Sequence, residues 1–179
     1  MSASEKLAAE QSASRETAAY AGNPMQPRHF ETVIIGTGFS GLLAAIRLQK
    51  KRCNDFVLLE RGSELGGTWQ VNSYPGAEVD VPTSLYSISF IAYPFTKTFA
   101  PQSELLAYTS HVIDTFDLRK HAITNQTVTT LRYDESESLW HVETASGERY
   151  AAQFWLDAEH ARLADSLAKH LADVLGRQR

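Results

Sequence analysis

The sequence predicts an α/β fold, in which a Rossmann-like βαβ unit with a parallel sheet precedes a β-meander and a C-terminal amphipathic helix. Three observations support this fold. A short β-rich apolar run ends in a glycine-rich turn, which is followed by a helical pattern and a second apolar run. Three further β-rich segments, separated by turn residues, occupy positions 127–152. Leucines at spacings of three and four then mark the last part of the chain.

Composition limits the classes of function. The chain has 179 residues, of which 43% are hydrophobic and 21% charged, as expected for one globular domain. A net charge of -4 gives no basic surface for nucleic acid. The single Cys53 cannot form an intrachain disulfide. Because no stretch resembles a signal peptide or a membrane span, we expect a cytoplasmic location and no membrane partner.

Three zones organise the chain. Residues 1–29 are polar, contain two X-Pro pairs near their end and predict a flexible arm. Residues 30–156 predict the folded domain. It starts with a strand at Thr32–Ile35, a helix at Ser40–Lys51 and a second strand at Phe56–Leu59. Residues 157–179 predict an amphipathic helix that packs on its own domain or on another chain.

The second half of the folded zone is less regular. Glycines and prolines between Arg61 and Pro101 predict a long loop, and a loop of that length is usually functional. A helix capped by Ser103 is predicted to run to Leu118. The meander strands are predicted at Val128–Tyr133, Leu139–Glu143 and Arg149–Ala152. Asp157 is the predicted N-cap of the C-terminal helix.

The strongest motif is the glycine pattern GTGFSG at positions 36–41, between the first strand and its helix. Its glycines permit a tight turn, close approach of a pyrophosphate and close packing of helix on strand. Glu60 follows the second strand, 19 residues after the last glycine, where a carboxylate can accept hydrogen bonds from ribose hydroxyls. A carboxylate there repels a 2′-phosphate, so the motif predicts FAD or NAD rather than NADP.

The motifs that follow resemble those of the class B flavoprotein monooxygenases, and most closely those of the Baeyer–Villiger monooxygenases. The resemblance combines GTGFSG with LLERGSELGGTW at 58–69, YPGAEVD at 74–80 and LYSISF at 85–90. It covers residues 31–154. It implies that residues 30–156 form part of an FAD-binding domain.

The resemblance assigns a role to each matching position. The counterparts of Gly36, Gly38, Ser40 and Gly41 hold the FAD pyrophosphate, and that of Glu60 binds the adenosine ribose. Thr68 and Trp69 are expected to line the flavin side, with Gly67 allowing close passage of the backbone. Asp80 is the candidate catalytic residue, near the flavin and the nicotinamide. Further expected cofactor contacts come from the side chains of Phe39, Arg61 and Tyr86 and from the backbone of Val128.

The implied activity is that of an FAD-dependent monooxygenase, an oxidoreductase. In this family NADPH reduces the flavin, O₂ adds to it, and the resulting peroxyflavin oxidises a ketone or a soft nucleophile, so the expected partner is a small-molecule substrate. The six histidines show no spacing typical of metal ligands, and we expect no metal site. A protein partner, or self-association, is expected through the C-terminal helix.

The sequence departs from the family at three places. Asp157-Ala158-Glu159-His160 stands where the family has Ala-Thr-Gly. Glu78 stands at a position where these enzymes commonly carry an arginine. The 179 residues contain no second glycine-rich fingerprint for an NADPH domain. These departures suggest a truncated, frameshifted or split gene. The alternatives are a non-catalytic FAD- or ADP-binding module whose terminal helix docks on a partner, and a remnant that binds no ligand.

Overall fold

The structure, a computed structural model, describes residues 26–158. Within that range the chain forms six strands, four α-helices and one 3₁₀-helix at Arg119–His121. The strands are β1 (Arg28–Ile35), β2 (Phe56–Leu59), β3 (Ala122–Ile123), β4 (Val128–Asp134), β5 (Leu139–Thr144) and β6 (Arg149–Asp157). The helices are α1 (Phe39–Lys50), α2 (Thr68–Val71), α3 (Thr83–Tyr86) and α4 (Gln102–Thr115).

All six strands belong to one sheet, in the order β3-β2-β1-β6-β5-β4. Strands β3, β2, β1 and β6 pair in parallel, whereas β6-β5 and β5-β4 pair antiparallel. Strand β6 therefore belongs both to the parallel sheet and to the meander. The predicted α/β class, the βαβ start and the meander are confirmed.

Two predicted boundaries are wrong because both strands are longer than their apolar runs. Strand β6 does not end at Ala152, since it pairs with β1 along its length, from Arg28 with Tyr150 to Ile35 with Asp157. The same pairing makes β1 begin at Arg28, so Arg28 and His29 belong to the sheet rather than to the predicted arm. Asp157 is the last residue of β6 rather than a residue outside it. Pairing with a long neighbouring strand satisfies backbone N–H and C=O groups beyond the apolar run. The hydrophobic pattern carries no signal for that part of the pairing.

Helix α4 differs from its prediction at both ends. It begins at Gln102 with Pro101 as the N-cap and no side-chain cap, so the predicted Ser103 cap is wrong. It ends at Thr115, and Asp117 has a left-handed φ of 49° that turns the chain into the 3₁₀-helix. The predicted long loop at 61–101 is irregular except for the short helices α2 and α3. Strand β3 was not predicted, because two residues carry no periodic pattern.

Hydrophobic side chains cover both faces of the parallel sheet. Alternate residues of β1 and β2 point to opposite sides, as the period of two requires. Ile34 and Leu58 face a cluster that includes the buried side of α1 and the α4 residue Tyr108. Val33 and Val57 face the opposite cluster, which contains residues of β5 and β6. The parallel strands are thus buried on both faces, under α1 and α4 on one side and under the cluster shared with β5 and β6 on the other, as a parallel sheet needs.

Two predicted segments lie outside the described residues. They are most of the arm at 1–29 and the C-terminal helix beyond position 158. No helix within residues 26–158 is long and apolar enough to cross a membrane.

Candidate functional site

The glycine turn is closely packed at its two outer glycines. Gly36 follows β1 with a φ of 93°, and its N–H donates to the carbonyl of Leu59 at 2.8 Å. A Cβ on Gly41 would lie 2.1 Å from the Gly36 oxygen, far inside contact distance. The outer glycines therefore join β1, β2 and α1 at the carboxyl end of the sheet, where α/β folds bind their ligands.

The middle glycine has a different environment. Gly38 faces Gly67 of the following loop, and a Cβ on Gly67 would lie 2.5 Å from the Gly38 Cα. A Cβ on Gly38 itself would meet no protein atom closer than 3.9 Å. The two backbones thus approach each other while the side-chain direction of Gly38 stays open. We call the pair Gly38 and Gly67, together with the start of α1, the glycine cradle.

The start of α1 suits an anion. Gly38 is its N-cap and provides no side-chain cap, and the first turn holds no acidic residue. The first N–H groups of a helix have no partner within the helix, and the helix dipole adds a positive potential there. A diphosphate bound against the glycine cradle would accept from these donors. Ser40 is in this first turn, as the motif predicts.

Glu60 is buried, with 7% of its surface exposed, immediately after β2. Its Oε2 accepts from the Thr37 N–H at 3.0 Å and from the Thr37 hydroxyl. Its Oε1 accepts from the Gly62 N–H at 2.8 Å. A carboxylate offers about four acceptor positions, so three protein donors leave one position, on Oε1. The protein thus orients Glu60 while keeping capacity for a ligand hydroxyl.

Thr37 is a site residue that the sequence analysis missed. It is fully buried, donates to Glu60, and its hydroxyl oxygen accepts from the Gly66 N–H at 3.3 Å. It therefore ties the first glycine turn to the loop that carries Gly67. Its position between the first two motif glycines was the available signal, but the motif leaves that position open to any residue.

Three aromatic residues of the predicted site lie together. The Tyr86 ring is 5.3 Å from that of Phe39 and 5.7 Å from that of Trp69, between ring centroids. The Gln102 side chain donates to the carbonyl of Trp69 and holds α2 against α4. Trp69 is buried, and its Nε1 is one of the few buried side-chain donors without a partner among the described residues. Because an unpaired buried N–H is costly, a ligand acceptor at this position would stabilise the site.

The other predicted residues lie outside these contacts. Thr68 is exposed at the start of α2, and Arg61 is exposed just after Glu60. Asp80 is exposed in the loop after the buried Val79. Val128 begins β4, two residues after Gln126, whose N–H donates to the Glu60 carbonyl at 2.8 Å. The structure therefore brings the glycines, Glu60 and the aromatic residues together, and it leaves Asp80 exposed next to Val79, which packs in one cluster with Trp69.

The end of β6 closes the turn from the other side. The Ala158 N–H donates to the Ile35 carbonyl at 3.0 Å. The Ala158 Cβ would be 3.7 Å from a Cβ on Gly36 and 3.2 Å from one on Gly41. Ala158 thus packs beside both outer glycines, although the family pattern Ala-Thr-Gly is absent.

Other features in residues 26–158 do not extend the site. No group of three or more His, Cys, Asp or Glu side chains in that range could hold a metal ion. Two surface concavities lie away from the glycine cradle, one lined by the meander with Pro27 and His29, the other by residues 83–98. Hence, within the described residues, the candidate site consists of the glycine cradle, Glu60 and the aromatic residues, without a metal cluster.

Comparison with known proteins agrees with this geometry. Residues 34–99 match the family described as NAD(P)-binding Rossmann-like domain. A Baeyer-Villiger monooxygenase of Pseudomonas aeruginosa is 43% identical over 130 residues, which are 72% of this chain and 25% of that protein. The chain is a partial homologue of the Baeyer–Villiger monooxygenases. It spans about a quarter of the length of the curated relatives that it matches.

Solved structures share the fold of the matching part of this chain. Cyclohexanone monooxygenase from Rhodococcus sp. Phi1, bound to NADP+, superposes with a TM-score of 0.71 at 36% identity, covering 74% of this chain and 26% of that one. OTEMO in complex with FAD and NADP gives a TM-score of 0.68 at 31% identity, covering 72% and 25%. The resemblance indicated by the sequence motifs is confirmed by both kinds of comparison over the matching residues.

Proposed function

We propose that this chain is the FAD-binding part of an NAD(P)H-dependent monooxygenase of Baeyer–Villiger type. The observation that carries the proposal is the glycine cradle, where the backbones of Gly38 and Gly67 approach each other beside an uncapped helix start. The carboxylate of Glu60 lies at the end of the neighbouring strand. A relative whose structure is described as a complex with FAD and NADP supports the same cofactor pair for this chain.

The described residues fit the two halves of a flavin dinucleotide. The glycine cradle and the start of α1 would hold its diphosphate, with donors but no competing acid in the first turn. The free acceptor position on Glu60 Oε1 would take a ribose hydroxyl. The unpaired Trp69 N–H and the ring of Tyr86 would lie on the flavin side.

When bound, FAD supplies the oxygen-activating chemistry, and the protein supplies orientation of the cofactor, exclusion of water and electrostatic stabilisation. The buried Trp69 and the adjoining aromatic rings would exclude water on the flavin side. We propose Asp80 as the residue that acts on the nicotinamide side. Its support is its place in the YPGAEVD motif, next to Val79, which packs in one cluster with Trp69. The proposed substrate is a small ketone or soft nucleophile.

Flavin retention tests the proposal directly. The purified chain is loaded with FAD and desalted, and its visible spectrum is recorded with and without NADPH. We expect retained flavin that NADPH does not bleach, because these 179 residues hold one glycine-rich fingerprint. Bleaching would place the reductive half-reaction within this chain. A chain that folds but retains no flavin would contradict the proposal.

The matched variants are Gly38→Asp and Gly147→Asp, which add the same charge at two open positions. The Gly38 side-chain direction opens where the diphosphate would lie, whereas a Cβ on Gly147, in the meander, has no neighbour within 4 Å. Gly147 has a left-handed φ of 85°, which aspartate adopts more readily than most residues, so the two variants are compared after circular dichroism shows that both are folded. We expect Gly38→Asp to weaken FAD binding at least about 100-fold by charge repulsion and blocked approach. Gly147→Asp should leave binding unchanged. Equal affinities for FAD in titration calorimetry would refute the assigned site.

A further inference from the structure

The two oxygens of the buried Glu60 carboxylate have unequal surroundings. Its Oε2 accepts two hydrogen bonds from Thr37, one from the backbone N–H at 3.0 Å and one from the hydroxyl. Its Oε1 accepts one, from the Gly62 N–H at 2.8 Å. Each carboxylate oxygen has about two acceptor positions. The protein therefore fills both positions of Oε2 and leaves one position on Oε1.

The Thr37 hydroxyl creates this difference between the two oxygens. The Thr37 side chain is fully buried, and its hydroxyl oxygen accepts from the Gly66 N–H at 3.3 Å, while the hydroxyl hydrogen is donated to Glu60. The GTGFSG motif needs glycines on both sides of position 37, but its turn needs no hydroxyl at that position. The hydroxyl therefore serves Glu60 and the following loop rather than the turn itself.

The chain around Glu60 fixes its backbone and keeps Oε1 open. The Glu60 N–H donates to the Ile123 carbonyl at 2.9 Å, and the Glu60 carbonyl accepts from the Gln126 N–H at 2.8 Å. A Cβ on Gly62 would lie 3.3 Å from Oε1. Because glycine has no side chain, the remaining acceptor position of Oε1 stays uncovered on that side.

We propose that Thr37 is a specificity-determining residue of the nucleotide site, because it limits Glu60 to one ribose hydroxyl. A carboxylate with both oxygens open can accept from both hydroxyls of a ribose, one on each oxygen. In this protein Thr37 already occupies Oε2, so the ribose is bound through Oε1 alone. The ligand is thus an adenosine diphosphate group with one essential ribose hydroxyl. The inference rests on the proposed function, which assigns that ribose to Glu60.

The test compares ADP, 2′-deoxy-ADP and 3′-deoxy-ADP as ligands of the full 179-residue chain in titration calorimetry. We expect one of the two deoxy analogues to bind at least about tenfold more weakly than ADP, because the charged Oε1 then loses its hydroxyl donor. The other analogue should bind within about twofold of ADP, because Oε2 has no position for its hydroxyl. The measured quantity is the ratio of the two analogue affinities.

Thr37→Val removes the hydroxyl and keeps the shape of the side chain. The carboxylate of Glu60 then has an open position on each oxygen, so we expect the ratio of analogue affinities to fall to within about threefold. Both analogues carry the same diphosphate, so a variant that alters only diphosphate binding or stability does not move this ratio. Thr37→Ser keeps the hydroxyl and should keep the ratio.

Thr32→Val is the matched control. Thr32 is also a buried threonine, on β1, but its hydroxyl has no hydrogen-bond partner among the described residues. Its removal should leave the ratio of analogue affinities unchanged.

Three outcomes overturn the inference. The first is that both deoxy analogues, or neither, bind more weakly than ADP; this needs no variant, so the inference can fail even where Thr37→Val does not fold. The second is a Thr37→Val chain, shown to be folded by circular dichroism, that keeps the original ratio. The third is a folded chain that binds no ADP, which overturns the proposed function as well, whereas the first two leave that function intact.

Discussion

The βαβ unit at 28–60 and the irregular segment at 61–101 are held in place by different means. In the βαβ unit apolar side chains interdigitate on both faces of the sheet, and Gly41 packs against the backbone of Gly36 without space for a methyl group. In the irregular segment, side-chain hydrogen bonds such as those of Thr83 fix the backbone, and large apolar side chains remain exposed. The first region supports the cofactor site, and the second presents a surface.

The largest expected effect tests the tight packing of the βαβ unit. Gly41→Ala forces a Cβ to within 2.1 Å of the Gly36 oxygen, and neither backbone can move without separating α1 from β1. We expect the free energy of unfolding to fall by about 3 kcal/mol or more. Urea unfolding followed by circular dichroism measures it.

Gly38→Ala is the matched control for that substitution. It adds the same methyl group three residues earlier, where the nearest protein atom would be 3.9 Å away and φ is -69°. We expect a loss of at most about 1 kcal/mol, because Gly38 is the N-cap of α1 and alanine is a poorer N-cap than glycine. Similar losses for the two variants would show that the outer and middle glycines do not differ in role.

The next effect tests the hydrogen bonds of the irregular segment. Thr83→Val keeps the shape of the side chain but leaves the Ala100 N–H and the Thr98 carbonyl without the buried hydroxyl. We expect a loss of about 1–3 kcal/mol, because a buried group left unpaired costs its full desolvation. Native-state hydrogen exchange should show faster exchange at Ala100, while the amides of β1 and β2 keep their protection.

Thr109→Val is the control for this change. The Thr109 hydroxyl, also buried, donates to the Leu105 carbonyl one helical turn earlier in α4. That carbonyl keeps its helical partner, so we expect a loss of less than about 1 kcal/mol. If Thr109→Val lost as much stability as Thr83→Val, the Thr83 hydroxyl would stabilise the irregular segment no more than a threonine inside a helix stabilises that helix.

The smallest expected effect is a pH dependence of the free energy of unfolding that comes from His121, whose ring packs on Phe56 of β2. The His121 ring stacks on Phe56, with ring centroids 4.3 Å apart. Burial, with the nearby Lys120 charge, lowers the pKa of His121 below its usual value. Because the folded state then disfavours the proton, His121 contributes stability above about pH 6.5, and this is lost as the pH falls through the folded-state pKa.

The measurement is urea unfolding at pH values from neutral to mildly acidic. The variant His121→Phe keeps an aromatic ring and removes the titration, so its stability should fall less over this range. The other histidines contribute equally to both proteins. A parallel decline of the two stability curves would contradict the role given to His121.

Much of this protein could be predicted from sequence because its signals are local. The strand at Phe56–Leu59 is observed as predicted, since four consecutive apolar residues between turn signals leave few alternatives. The glycine motif likewise identified Gly36, Gly38 and Gly41, because the turn needs residues without a side chain.

The tertiary structure decided what depends on partners distant in sequence. The opposition of Gly38 and Gly67, the hydrogen bonds from Thr37 to Glu60 and the extension of β6 to Asp157 join residues 20 or more positions apart. No periodicity or motif encodes such pairs. Thus the sequence by itself determined the βαβ unit, the dinucleotide motif and the resemblance to part of the Baeyer–Villiger monooxygenases. Only folding decided which glycine is open to a ligand and which apolar side chains stay exposed, because both depend on the atoms that another part of the chain brings alongside.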